Sequence, residues 1–188
     1  MIILITGVGN VGKSSFRRML VRVLREHGVA VEHSDADGFS EVRNARDRGM
    51  IDVRETTLDS STVYLIEDVH GTQAGSSLLP MSSYDLVFYL RPSYWTHVRF
   101  WLSRAWRWFS HGVYDWQPIE GFKGTKVHWD VRNVPAIMNV VSDQLGKRIM
   151  IDTDLVILSK EDTTTIVIEP RWTKNGPVFD PPDLDLFK

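Results

Sequence analysis

Residues Gly7 to Ser14 read Gly-Val-Gly-Asn-Val-Gly-Lys-Ser, a complete G-x-x-x-x-G-K-[ST] loop. Its setting constrains the fold more than any other stretch. Before it runs Met1-Ile2-Ile3-Leu4-Ile5-Thr6, nearly all apolar, as suits a buried parallel strand. After it, Ser15 to Glu26 carries Phe16, Met19, Leu20, Val23 and Leu24 at helical spacing. A strand, a glycine loop and a helix in that order give the pattern a mechanism. The glycines let backbone N–H groups turn inward around phosphate oxygens, and the helix N-terminus adds its positive dipole end. Gly7, Gly9, Asn10, Val11, Gly12, Lys13, Ser14 and Ser15 are therefore the expected nucleotide-binding residues. Lys13 would reach the β- and γ-phosphates, and Ser14 would ligate Mg²⁺. The implied ligand is a nucleoside triphosphate.

At 188 residues the chain is expected to form one domain with a sizeable core. There is no cysteine, which excludes disulfides and Cys-ligated zinc and fits a reducing, cytoplasmic setting. No apolar run approaches the ~18 residues of a membrane span. The glycine loop begins at Gly7, too early for a signal peptide to precede it. A net charge of −2 argues against general nucleic-acid binding. The charge is uneven, however: residues 91–148 carry nine Lys/Arg and four Asp/Glu. That positive segment is a candidate lid facing phosphates.

Along the chain, strand and helix patterns alternate. His27-Gly28 stops the first helix, and Val29 to His33 reads as a second strand ending in Ser34-Asp35-Ala36-Asp37-Gly38-Phe39. A helix is expected around Ser40–Arg48. Thr62 to Ile66 reads as a third strand followed by Glu67-Asp68, and Asp85 to Leu90 as a fourth. Pro92 to His111 is helical by pattern, residues 112–132 are aromatic and irregular, and Pro135 to Leu145 reads as another helix. Asp154 to Leu158 and Thr164 to Ile168 are expected to be two strands joined by a turn. The tail from Asn175, with three prolines and three aspartates, is expected to run extended. Alternation of this kind implies a three-layer α/β fold, with a mainly parallel sheet and helices on both faces. Ligands of such sheets sit at the carboxyl ends of the strands, which gathers the loop, Asp35/Asp37 and Glu67/Asp68 around one crevice.

Two classes of phosphate-loop protein compete. The loop looks much like that of many GTPases, and Asp68-Val69-His70-Gly71 fits their D-x-x-G motif, but no N-K-x-D guanine-reading motif follows. The kinase reading explains more. Asp37-Gly38-Phe39 after the second strand, Glu67 ending the third, and Trp101-Leu102-Ser103-Arg104 in the helix after the fourth resemble the uridine kinase and bacterial pantothenate kinase family. The resemblance spans most of residues 1–171, with the glycine loop as its specific part. It implies a P-loop kinase domain over 1–171, a helical lid at about 93–132, and residues 172–188 as a tail. The chain lacks a clear match to much of the pantothenate pocket, so pantothenate is not carried over as substrate.

Phosphoryl transfer needs positioning, charge neutralisation and a base for the attacking hydroxyl. The resemblance makes Asp37 the first choice of base and Asp35 the reserve; either would otherwise orient the acceptor, hold a Mg²⁺-bound water or cap the next helix. Glu67 or Asp68 would contact Mg²⁺ through water; the plain alternative is a solvated turn pair. His70 reads as structural or as a pocket wall. Arg43 and Arg46 would bind an anionic acceptor or simply face solvent.

In the helix from Tyr94 to His111, Tyr94, Val98, Trp101, Ala105 and Trp108 form one stripe, with Trp95, Leu102, Trp106 and Phe109 beside it. Arg99, Ser103 and Arg107 lie opposite and Arg104 at the flank, making a basic amphipathic helix. As a lid, its arginines would close over the triphosphate, with Arg104 first and Arg99 and Arg107 next. Other readings are a membrane or partner surface, a nucleic-acid surface, and tryptophans in the core with solvated arginines. The aromatics of 112–132, Tyr114, Trp116, Phe122 and Trp129, would form an acceptor pocket or pack on the core. The expectation is an ATP- and Mg²⁺-dependent kinase acting on a nucleoside, nucleotide or vitamin-like acceptor, with a hydroxymethylated base in DNA as a variant. The alternatives are a GTP- or ATP-binding switch and a degenerate kinase that only binds nucleotide.

Overall fold

The stretch Ile2–Thr6 forms strand β1 at the centre of a five-stranded sheet, and its residues from Ile3 onward are buried. A computed structural model describes residues 1–9, 11–35, 51, 53, 56–68, 79–110, 146 and 150–187, with backbone alone at 35 and 104–110. Helix α1 spans Lys13–Glu26 and leads to β2 (Ala30–Asp35). Strands β3 (Thr62–Glu67) and β4 (Leu86–Leu90) follow, then helix α2 (Tyr94–Ser110). A helix over 150–158, α3, precedes β5 (Thr164–Ile168). The chain ends with a hairpin of β6 (Arg171–Thr173) and β7 (Gly176–Val178) and a short 3₁₀ turn at Leu184–Phe187.

The sheet runs β2-β3-β1-β4-β5, and every pairing is parallel. Parallel strands covered on both sides must be apolar along their length, and β3 and β4 are buried almost end to end. Adjacent residues of β4 show the two faces. Phe88 meets Phe16 of α1 edge-on at 5.4 Å, whereas the Tyr89 hydroxyl donates to Asp154 of α3 at 3.0 Å. Successive strand residues point to opposite faces, so α1 and α3 cover opposite sides of the sheet. The molecule is thus an α/β protein with a parallel sheet between helices.

From β1 the chain passes through α1 to β2 on one side, and from β3 it crosses to β4 on the other. Connections that part in this way open a crevice at the carboxyl end of the central strand, here at Thr6-Gly7. Asp68 N–H donates to the Ile5 carbonyl, extending the β1–β3 pairing to the rim of that crevice.

Three expectations change. Residues 154–158 belong to a helix, not a strand. Ile151, Asp154 and Leu158 are buried while Asp152 and Val156 are exposed, a helical period hidden inside a short apolar run. The tail is not simply extended. Lys174-Asn175 turns the chain tightly between β6 and β7, and Gly176 follows at φ +110°, where a side chain is strained. In α2, Tyr94, Trp95 and Leu102 are exposed, so this part of the expected apolar arc does not face the core. The expected helices at 40–48 and 135–145 and the irregular segment 112–132 lie outside the described residues. Among the described residues, no helix is long and apolar enough to cross a membrane.

Candidate functional site

The glycine loop links the end of β1 to α1, as its sequence demands. Gly7 has φ +134° and Gly12 φ +92°. Both positions are closed to a side chain by contact as well as by conformation. A Cβ on Gly7 would stand 2.9 Å from the Leu90 carbonyl oxygen, and one on Gly12 2.5 Å from Phe100 Cζ. Gly12 also caps α1, its carbonyl accepting from the N–H groups of Ser15 and Phe16. The first turn of α1 thus begins directly at Lys13 and Ser14, and among the described residues no side chain caps it by a hydrogen bond.

Lys13 is buried, and a buried ammonium requires partners. Its Nζ donates to the Gly7 carbonyl at 2.8 Å and to the Val8 carbonyl at 3.0 Å. The side chain therefore lies back along the loop, which fixes its charge against the loop's own backbone.

Beside it, the Ser14 hydroxyl donates to Glu67 Oε1 at 2.6 Å. Glu67 is buried at the carboxyl end of β3, in register with Ile5 of β1 and Asp35 of β2. Its other oxygen faces Arg17, whose Nε lies 3.2 Å away; both side chains are almost wholly removed from solvent. Among the described residues, that oxygen accepts no in-line hydrogen bond despite its burial. A second guanidinium nitrogen of Arg17 reaches the Ser34 carbonyl at 3.4 Å. The carboxylate is thus held between a hydroxyl from the loop and a cation from one turn further along α1.

The oxygen chemistry suits Mg²⁺, a hard cation that keeps several waters and takes one or two protein oxygens. Ser14 Oγ and the carboxylate of Glu67 are adjacent, and Glu67 Oε2 retains acceptor capacity. Asp68, next in sequence, is also buried at the same strand end. Among the described residues no group of three or more His, Asp or Glu side chains is gathered as a cage for a metal.

Helix α2 leans on the loop through residues that its sequence pattern does not single out. The His97 ring lies 3.2 Å from the Gly9 carbonyl through Nε2, and Phe100 covers Gly12. Phe179 from the chain's end also approaches Gly12 and packs on Phe16 with ring centroids 5.5 Å apart. Arg17, His97, Phe100 and Phe179 are therefore structural neighbours of the site that sequence reading misses. Arg17 sits four residues after Lys13 on α1, a spacing that places both on one helix face. The contacts of His97, Phe100 and Phe179 join distant parts of the chain and leave no local signal.

The structure brings Gly7, Gly9, Val11, Gly12, Lys13, Ser14, Ser15, Glu67 and Asp68 around one crevice. Asp35 joins them through its backbone. Arg99 is exposed on α2. Asn10, Asp37 and His70, and the side chains of Asp35, Arg104 and Arg107, lie outside the described residues.

A cleft of about 310 Å³ borders the loop, lined by Ser15, Phe100, Ser103, Trp172, Gly176 and Pro177. A separate cleft of about 370 Å³ lies between α3 and β5, with Leu155, Leu158 and Val167 among its walls. Among the described residues, neither lining includes Lys13, Ser14 or Glu67; the first cleft meets the site through Ser15, the residue after Ser14. No model of a known protein family matches the chain, and no curated protein matches it.

Proposed function

We propose that this protein is a phosphate-loop kinase. With Mg²⁺ it would transfer the γ-phosphoryl group of a nucleoside triphosphate to a hydroxyl or phosphate of a small acceptor. The observation that carries the reading is the meeting of Ser14 and Glu67 at 2.6 Å beside the buried ammonium of Lys13. A hydroxyl, a carboxylate and an ammonium at a helix N-terminus are the groups that a metal-bound triphosphate needs.

In this reading the loop's N–H groups and the α1 N-terminus bind the phosphates, and Lys13 stabilises the negative charge that builds on the transferred group. Ser14 would hold Mg²⁺ directly, with Glu67 or Asp68 reaching it through water. The metal would neutralise charge on the phosphate oxygens. The acceptor oxygen attacks the γ-phosphorus, the bond from that phosphorus to the bridging oxygen breaks, and the nucleoside diphosphate leaves with that bond's electron pair. The acceptor's proton passes to a carboxylate, assigned to Asp37 on its family resemblance. The resemblance to uridine and pantothenate kinases also supports α2 as part of a lid, with Arg104, Arg99 and Arg107 as its charged groups. A cytoplasmic setting goes with the same reading.

The test is nucleoside diphosphate release with Mg²⁺ and a panel of nucleosides, nucleoside monophosphates, vitamin-like alcohols and hydroxymethylated DNA. Release that depends on one acceptor class supports the kinase. Slow hydrolysis indifferent to every acceptor, faster with GTP than ATP, would instead support a nucleotide-dependent switch. Asp37→Asn should leave nucleotide affinity intact and remove turnover; full turnover in that variant would overturn the base assignment.

A further inference from the structure

The cleft beside Ser15 is built from three separate parts of the chain. Ser15 is the third residue of α1, immediately after the two residues that the proposed chemistry assigns to phosphate and metal. Phe100 and Ser103 come from α2, and Trp172, Gly176 and Pro177 from the β6–β7 hairpin. Trp172 pairs with Pro177 across the hairpin, and its ring meets Phe100 edge-on with centroids 5.0 Å apart. The hairpin is itself pinned: Thr173 Oγ1 donates to the Gly176 carbonyl at 3.0 Å and accepts from the Asn175 N–H at 3.2 Å. Trp172 is half-buried, so part of its ring remains open to the cleft.

Among the described lining residues none carries a charge or a carboxamide, and two are aromatic. Such walls do not suit a sugar phosphate or a free anion. They suit a flat, weakly polar ring system, which gains from an aromatic face and needs few hydrogen bonds. The cleft's volume is at the lower end of the range for small-ligand sites. It adjoins the loop at Ser15, one residue beyond Ser14, so a group lodged there can be joined covalently to phosphates in the loop.

We infer that this cleft is the nucleobase site, with Trp172 supplying the stacking face and Phe100 holding that ring in place. The inference rests on the kinase reading above for the phosphates, and it assigns the hairpin a binding role that the glycine loop does not imply. Recognition by ring face rather than by base edge treats adenine and guanine alike, since every base has a π-face. The site therefore gives affinity for purine nucleotides with little choice between ATP and GTP.

Calorimetric titration of the full chain with Mg²⁺ and ATP, GTP or inorganic tripolyphosphate tests it. Trp172→Ala should weaken ATP and GTP by about tenfold each, the size of one base–aromatic stack, and leave tripolyphosphate unchanged. Trp172→Phe should keep most of the nucleotide affinity. Ser103→Trp, which fills the cleft from α2 and leaves the hairpin's own sequence unchanged, should block both nucleotides and spare tripolyphosphate; it decides the matter if Trp172→Ala does not fold. Unchanged ATP affinity in Trp172→Ala or Ser103→Trp would overturn the inference while leaving the phosphate site standing. A loss confined to one nucleotide would overturn stacking as the means of recognition. Wild-type protein that binds neither nucleotide nor tripolyphosphate would overturn the kinase reading, and this inference with it.

Discussion

Arg17 and Glu67 form an ion pair at 3.2 Å with both side chains almost wholly buried beneath the glycine loop. Burial of two charges costs several kcal/mol per ion, and the pair persists because each answers the other. Removing one partner is worse than removing both. Arg17→Met should therefore destabilise the protein by about 3–5 kcal/mol, measured by denaturant unfolding. Arg17→Met with Glu67→Gln should recover part of that loss, because the stranded charge is gone. An Arg17→Met protein as stable as wild type would show that the pair contributes nothing to holding Glu67.

Two glycines with positive φ separate backbone strain from close contact. Gly28 has φ +76° and, among the described residues, nothing within 4 Å of where a Cβ would stand, whereas Gly12 has φ +92° and would place a Cβ 2.5 Å from Phe100 Cζ. Gly28→Ala should cost only left-handed strain, about 1–2 kcal/mol. Gly12→Ala should cost more, and Phe100→Ala in the same chain should make its added effect approach that of Gly28→Ala. Thermal melts of Gly28→Ala, Gly12→Ala, Phe100→Ala and the Gly12→Ala/Phe100→Ala double variant check this; equal costs for the two glycines would deny the Phe100 contact.

Tyr89 gives the fold an alkaline limit. Burial, followed by the neighbouring Asp154 charge, raises its hydroxyl well above the ordinary tyrosine value of 10.0. The sign follows from linkage: the folded protein keeps this proton at a pH where the unfolded chain releases it. The stabilisation is complete below pH 10.0 and declines as pH rises past it. Tyr89→Phe should be less stable near neutrality by about 1.5–3 kcal/mol, the range for a hydrogen bond to a charged group. Its unfolding midpoint should also fall less steeply above pH 10.0 than that of wild type. Parallel alkaline slopes in the two proteins would contradict the role given to Tyr89.

The residues legible in the sequence are those whose neighbours in the chain dictate their structure. Ile2 to Ile5 and Leu86 to Leu90 read as strands because a parallel strand covered on both faces has no room for polar alternation. Gly7 to Ser14 read as a loop because its glycines serve the backbone itself. Asp154 to Leu158 mislead because five residues with a single polar member fit a strand or a buried helix equally well, and only packing on Tyr89 decides. Trp172 escapes notice because the prolines of the tail outweigh Asn175-Gly176, the stronger local signal. Phe100 and His97 lie on no predicted face of α2. Their place is set by Gly12 and Gly9, about ninety residues earlier, and no local periodicity records such a contact.

The loop chemistry can be tested without knowing the acceptor. Lys13→Ala removes the ammonium that the Gly7 and Val8 carbonyls hold in place. Its nucleotide and tripolyphosphate affinities should both fall by about tenfold or more, as expected for loss of a charged hydrogen-bond partner. Affinity equal to wild type for both ligands would remove Lys13 from the phosphate site.

The most direct measurement is ATP turnover by purified wild-type protein with Mg²⁺ across the acceptor panel, with GTP in parallel and Lys13→Ala as control. The kinase account predicts ADP formation that requires one acceptor class, yields the phosphorylated acceptor in equal amount, and disappears in Lys13→Ala. Acceptor-independent hydrolysis, or turnover that survives in Lys13→Ala, would contradict it.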